Sequence, residues 1–195
     1  CIGRLNAWKG QEVLVEACAR LPEDMQAQLE VRIVGGVYRD QVHFRTALQD
    51  KIALRGLQGI IALQDFADDP APHYTWADVV VVPSTLPEPF GRVAIEGMAH
   101  GCAVLASDHG GLREIVVAGG PEPQTGELVA PGDPLALATA LRRYCTDPGL
   151  VTTHCKAGRA RFEAAFTQAA ADRQLIAALG AFSGCMVDHC AKPRA

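Results

Sequence analysis

Apolar residues recur along this chain in two alternating patterns. Val79–Val82 is an unbroken β-branched run without polar alternation, the pattern of a parallel strand buried on both faces. Leu29–Val34, Ile60–Leu63, Cys102–Ala106 and Glu127–Val129 read as further short strands, and Cys1–Leu5 as the end of another. Between them lie stretches of helical period. Trp8–Leu21 places Val13, Leu14, Ala17 and Cys18 on one face, and Pro22-Glu23-Asp24 breaks it. Asp40–Leu54 carries Val42, Leu48, Ile52 and Ala53 among polar residues and stops at Gly56. Arg92–His100 is a third helix. Leu135–Tyr144 is a fourth, behind the capping run Pro131-Gly132-Asp133-Pro134. Thr152–Gly180 is alanine-rich and helical, with a break expected near Thr167, and no periodicity continues beyond Phe182. Strands alternating with helices at this spacing predict an α/β fold, a doubly wound parallel sheet of Rossmann type. The expected organisation is one domain over residues 1–182 and a tail over residues 183–195.

The stretch VVVVPSTLPEPFGRVAIE, Val79–Glu96, is where this pattern first suggests chemistry. Pro83 ends the strand, because it cannot donate to a sheet ladder. A loop holding Glu88 follows, then Phe90-Gly91 and a helix carrying Glu96. Both carboxylates therefore fall near a strand's carboxyl end, where open α/β sheets bind ligands. The first turn of a helix attracts phosphate through its unpaired N–H groups and dipole. Gly91, lacking a side chain, is expected to let a ligand approach the backbone. Carboxylates repel phosphate but accept hydrogen bonds from sugar hydroxyls. An anion cradle beside carboxylates suits a ligand that is part phosphate and part polyol, such as a nucleotide sugar. The competing account is structural: Glu96 pairs with Arg92 four residues earlier on the helix surface, and Glu88 is a solvated loop acid.

Bulk properties narrow the class. A chain of 195 residues, 49% hydrophobic and 21% charged, is long enough for a full core and has a globular composition. A net charge of −4 argues against a nucleic-acid surface. No apolar run reaches the roughly 18 residues that a membrane-spanning helix needs. The seven cysteines include no CxxC pair, and Cys18 and Cys102 sit within apolar patterns, so reduced thiols are expected. Cys185, His189 and Cys190 could coordinate zinc, but without a partner cluster a plain tail is the preferred reading. The chain starts at Cys1, nearly inside a motif, and reads as part of a longer protein.

Glu88 and Glu96, with seven residues between them inside PEPFGRVAIEGMAHGCAVLASDHGGLREIV, resemble the E-x7-E signature of retaining glycosyltransferases of the GT-B fold, group 1. Gly3-Arg4-Leu5 followed by Lys9-Gly10 resembles that family's G-R-L-x-x-x-K-G segment. Val34-Gly35-Gly36 and Trp76-Ala77-Asp78 fall in the expected order, so the resemblance covers about residues 1–165. It implies one half of a GT-B enzyme, the donor-binding domain, which transfers a sugar from a nucleoside-diphosphate sugar to a hydroxyl in glycan or cell-surface polysaccharide synthesis. By this resemblance Arg4 and Lys9 bind the diphosphate, Glu88 contacts the donor sugar and Glu96 the ribose hydroxyls. Gly35, Phe90, Gly91 and Val93 line the donor. Arg4, Lys9 and Glu88 are the catalytic candidates, since fixed cations stabilise a leaving diphosphate. No metal or other cofactor is implied: Asp-x-Asp is absent, and relatives use the helix terminus and cations instead. The carbohydrate or lipid-linked acceptor is expected to bind mainly to an N-terminal domain outside these residues. A cytoplasmic enzyme able to associate peripherally with the inner membrane face is implied.

Two other classes fit the same residues: a module that binds a nucleotide sugar without transferring it, and a nucleotide-sugar epimerase of the same fold.

Overall fold

In the computed structural model, residues 1–38 and 41–190 are described, with side chains up to residue 180. The first helix, α1 (Gln11–Ala19), begins later than its apolar pattern predicts. Asn6 Oδ1 accepts the Lys9 N–H at 3.0 Å, and Gly10 adopts φ 71°, so residues 6–10 form a loop. After it come α2 (Glu23–Gln26), β1 (Val31–Val34), α3 (Val42–Leu54) and β2 (Ile61–Gln64). Asp40, where α3 was expected to start, lies outside the described residues. In α3 only Leu48 and Ile52 are buried, while Val42 is exposed.

The second half holds α4 (Ala71–Trp76), β3 (Val79–Val82), α5 (Arg92–Ala99), β4 (Ala103–Ser107), α6 (Leu112–Ile115) and β5 (Gly126–Val129). The chain continues through α7 (Pro134–Thr146), α8 (Pro148–Ala165) and α9 (Gln168–Cys190). The caps explain the last boundaries. Asp133 accepts the N–H groups of Leu135 and Ala136, and Asp147 that of Leu150. Thr167 Oγ1 accepts the Ala170 N–H, which starts α9 at the expected break. Helix α9 runs through residue 190, past the boundary expected at 182. The short helices α2, α4 and α6 have no counterpart among the expected elements; four to six residues give too little periodicity to detect.

Among the described residues every strand pairing is parallel, in two ladders ordered β1-β2 and β3-β4-β5. This refines the single sheet expected. Residues 1–5 run beside β1, with Gly3 N–H donating to Val34 O and Leu5 N–H to Gly36 O, both at 2.9 Å, but they form only one bridge, Ile2 with Val34. Between the ladders lies a cavity of about 620 Å³ lined by Ile2, Val34, Tyr74 and Val79–Val81. Arg4, Lys9, Glu88 and Glu96 are not among its lining residues, so this cavity is not the predicted site.

Helices cover both faces. On one, Ile33, Ile61, Val81 and Leu105 pack with Leu14 and Cys18 of α1, Leu48 and Ile52 of α3, and Leu137 and Leu141 of α7. On the other, Val80, Val82, Val104 and Ala106 pack with Tyr74 of α4, Ala94 and Met98 of α5, and Phe162 of α8. This double cover explains why Val79–Val82 has no polar position. Cys18 and Cys102 are buried free thiols, and burial pushes both up to about 12, which keeps them protonated and inert.

Candidate functional site

Three loops converge beyond the carboxyl ends of the strands. The loop of residues 6–10 follows the first strand segment, residues 83–91 follow β3, and residues 108–111 follow β4. Thr85 N–H donates to Trp8 O at 2.7 Å, and a Cβ on Gly10 would lie 1.9 Å from Pro83 O. On the other side Gly111 N–H donates to Glu88 O at 2.9 Å, and a Cβ on Gly110 would lie 2.4 Å from the same oxygen. Only glycines permit these approaches, and they press the Glu88 loop between its neighbours.

Glu88 is 6% exposed. Its Oε1 accepts from Lys9 Nζ at 2.5 Å and from Ser84 Oγ at 2.6 Å. The solvated loop acid of the structural reading is therefore ruled out. Lys9 also lies over the Trp8 ring, 4.3 Å from its centroid. Both donors use Oε1, which leaves Oε2 to accept from a ligand hydroxyl. Ser84 is fully buried, and its carbonyl accepts from His109 Nε2 at 2.9 Å. Since a carbonyl can only accept, Nε2 is the donor; His109 Nδ1 is buried with no hydrogen-bond partner among the described residues.

Arg4 is exposed at the same edge. Its Nη1 donates to Tyr38 Oη at 2.5 Å, and its guanidinium lies 4.7 Å from the Tyr38 ring centroid. Gln11 anchors the segment by donating to Arg4 O at 2.9 Å. Gly35 sits under it, where a Cβ would meet Gly3 O at 1.9 Å. Chain packing alone thus demands glycine there.

Glu96 belongs to a separate group on α5. Oε2 accepts from Tyr74 Oη at 2.7 Å and Oε1 from Arg92 Nη2 at 3.1 Å. The helix-surface pairing with Arg92 exists, but it is only half of the environment of this carboxylate. Gly91 caps α5 with φ 85°, and a Cβ there would meet Ile115 Cδ1 at 2.9 Å and Leu112 Cδ2 at 3.0 Å. Conformation and packing alone therefore require glycine here. Phe90 is exposed and Val93 is partly buried against the core.

The structure thus unites Lys9 with Glu88, sets Arg4 at the same sheet edge, and holds Glu96 in its own pair of bonds. Sequence reasoning missed Ser84, Tyr38, Tyr74, Gly110 and Gly111. The glycine doublet after a strand was a usable signal; the hydroxyl-bearing residues carry none until their partners are known. Among the described residues no group of three or more His, Cys, Asp or Glu could hold a metal ion. The side chains of Cys185, His189 and Cys190 lie outside the described residues.

The protein family described as glycosyl transferases group 1 matches residues 1–161. A D-inositol 3-phosphate glycosyltransferase of Corynebacterium diphtheriae is 36% identical over 187 residues, 92% of this chain and 41% of that protein. The chain therefore spans about two fifths of that relative's length. Among solved structures, Anabaena Alr3699/HepE in complex with UDP has a TM-score of 0.82 at 28% identity, covering 92% of this chain and 47% of that one. The same Anabaena protein is also solved with UDP-glucose. The C-terminal domain of a group 1 family protein (LpcC) from Francisella tularensis has a TM-score of 0.75 at 26% identity, covering 86% of this chain and 85% of that chain.

Proposed function

The chain belongs to the group 1 glycosyl transferases, and from that membership we propose that it is the donor-binding half of an enzyme that moves a sugar from a nucleoside-diphosphate sugar to a hydroxyl acceptor with retention of anomeric configuration. The observation that carries this reading is the Lys9–Glu88–Ser84 group at the carboxyl edge, with Arg4 beside it. The similarity to a protein that binds UDP and UDP-glucose supports the donor class.

Each part has a physical role. Arg4 offers a forked donor to diphosphate oxygens and Lys9 a compact charge, where negative charge grows as the glycosidic bond breaks. Glu88, oriented through Oε1 by two donors, presents Oε2 to the sugar. Glu96 accepts from the ribose hydroxyls. No metal has a role in this scheme; the cations and the α5 terminus supply the positive charge. The acceptor, a hydroxyl of a glycan or lipid-linked sugar, binds mainly outside these residues, and the cytoplasmic face of a membrane is the proposed setting.

The test is titration calorimetry of the chain with UDP, GDP and ADP without added metal. One should bind, and Arg4→Ala with Lys9→Ala should weaken it by about 1.5–3 kcal/mol per charged hydrogen bond lost. Binding within twofold of wild type would remove both residues from the site. In a protein carrying both halves, Glu88→Gln should lower turnover on the order of 10²-fold while nucleotide affinity changes little. Absence of turnover with every donor and acceptor pair would favour a module that only holds the nucleotide sugar.

A further inference from the structure

Glu96 can be useful to a ribose only if its carboxylate is held in one orientation, and its own helix does not achieve that. Arg92, four residues earlier, is 78% exposed along its side chain. Exposed pairs of this spacing hold each other only weakly. The firm contact comes from another element. Tyr74 of α4 is 1% exposed and inserts its ring beside Val80, Ala94 and Met98, with its hydroxyl reaching Glu96 Oε2 at 2.7 Å.

Three further contacts frame Tyr74 and its partner Glu96. The Tyr74 ring stacks on His100 with centroids 5.2 Å apart and planes at 22°. His100 Nδ1 in turn donates to the main-chain oxygen of Glu96 itself, at 2.8 Å. Cys102 Sγ donates to Tyr74 O at 3.1 Å, fixing the backbone of α4. A tyrosine has two side-chain torsions, and close packing around its ring sets both. Burial and the adjacent Glu96 carboxylate raise its ionisation well above the usual range, so the hydroxyl remains a donor throughout the working pH range.

We propose that Tyr74 is a positioning residue: it sets the rotamer of Glu96 so that the remaining lone pairs of that carboxylate meet the two ribose hydroxyls, and it thereby gives the site its preference for ribonucleotides. The inference rests on the reading that Glu96 binds the ribose. Without the phenol hydroxyl, Glu96 keeps its bond from Arg92 but samples several rotamers. The ribose contact weakens, while the diphosphate contacts of Arg4 and Lys9 are untouched.

The experiment is titration calorimetry of wild type, Tyr74→Phe and Glu96→Ala with UDP and with 2′,3′-dideoxyuridine diphosphate. Wild type should prefer UDP by about tenfold, the worth of one to two net hydrogen bonds. Glu96→Ala should abolish that preference. Tyr74→Phe should cut it to about threefold or less, with affinity for the dideoxy ligand within twofold of wild type. If Glu96→Ala abolishes the preference and Tyr74→Phe keeps it, the positioning role is overturned and the Glu96 reading stands. Should GDP or ADP be the nucleotide bound, it and its 2′,3′-dideoxy analogue replace the uridine pair; if wild type binds none of the three or shows no preference, or if Glu96→Ala retains the preference, the Glu96 reading fails and the inference with it. Equal losses on both ligands in Tyr74→Phe would mean a structural role only, which also overturns the proposal; retained helical circular dichroism and a retained melting transition identify a folded variant.

Discussion

Lys9 Nζ stands 2.5 Å from Glu88 Oε1, joining two residues 79 positions apart in the chain. The same carboxylate oxygen accepts from Ser84 Oγ at 2.6 Å, and the Glu88 side chain is 8% exposed. A charge this deep must be paired, because unpaired burial is costly. The pair therefore links the first loop to the loop after β3 as well as standing at the centre of the candidate site.

Removing Lys9 should reveal this. Lys9→Met leaves Glu88 with Ser84 alone and is expected to destabilise the chain by about 1–3 kcal/mol. Glu88→Gln should cost less, since the amide oxygen still accepts from both donors and Lys9 can reach water. A double-mutant cycle in urea should give a coupling of about 1–2 kcal/mol, above the 0.2–1 kcal/mol usual for exposed pairs. A coupling below about 0.3 kcal/mol would mean a solvent-screened pair.

The 108–111 turn makes a second prediction. Gly110 has φ 55°, and a Cβ there would lie 2.4 Å from Glu88 O and 2.9 Å from Glu88 N. Gly120 has φ 85° with nothing within 4 Å. Gly120→Ala should therefore show only the conformational penalty, about 1 kcal/mol. Gly110→Ala must also displace the Glu88 backbone and should lose a further 1–3 kcal/mol or so, together with nucleotide affinity. Equal melting temperatures for the two variants would show that the turn does not brace Glu88.

His154 makes a third, pH-dependent one. It is 1% exposed, and its Nδ1 shares a hydrogen bond with Tyr144 Oη at 2.9 Å. Burial, with Arg143 nearby, lowers its pKa below the ordinary 6.5. A histidine whose folded pKa is depressed takes up its proton more readily when unfolded. Its contribution is thus fully present above 6.5 and is lost as pH falls from 6.5 through the folded value. Denaturant titrations should show wild-type stability falling over that window with a slope of at most about 1.4 kcal/mol per pH unit from this group. His154→Gln should remove that part of the slope; an unchanged slope would place the effect elsewhere.

Much of this was readable in the chain. Val79–Val82 forms a strand with the bounds its pattern predicts, because an all-apolar β-branched run suits a position covered on both faces. Asp133 caps α7 as its Pro-Gly-Asp-Pro setting suggested, since capping is decided within four residues. The start of α1 was misplaced because Asn6 and the left-handed Gly10 compete with helix over three residues that periodicity alone assigns to it.

The site divides in the same way. Arg4, Lys9, Glu88 and Glu96 could be nominated from residue type and spacing, which are local properties. Their partners could not. Lys9 meets Glu88 across 79 positions, Arg4 meets Tyr38 across 34, and Tyr74 meets Glu96 across 22. The sequence by itself determined the alternation of strands and helices, the caps and the candidate charges, because each depends on neighbours within a few residues. Tertiary structure alone decided which carboxylate is buried, which hydroxyl holds it and why Gly35, Gly91 and Gly110 must lack a side chain. Those outcomes depend on ångström-scale distances between loops that meet only after the crossovers have packed helices onto both faces of the strands.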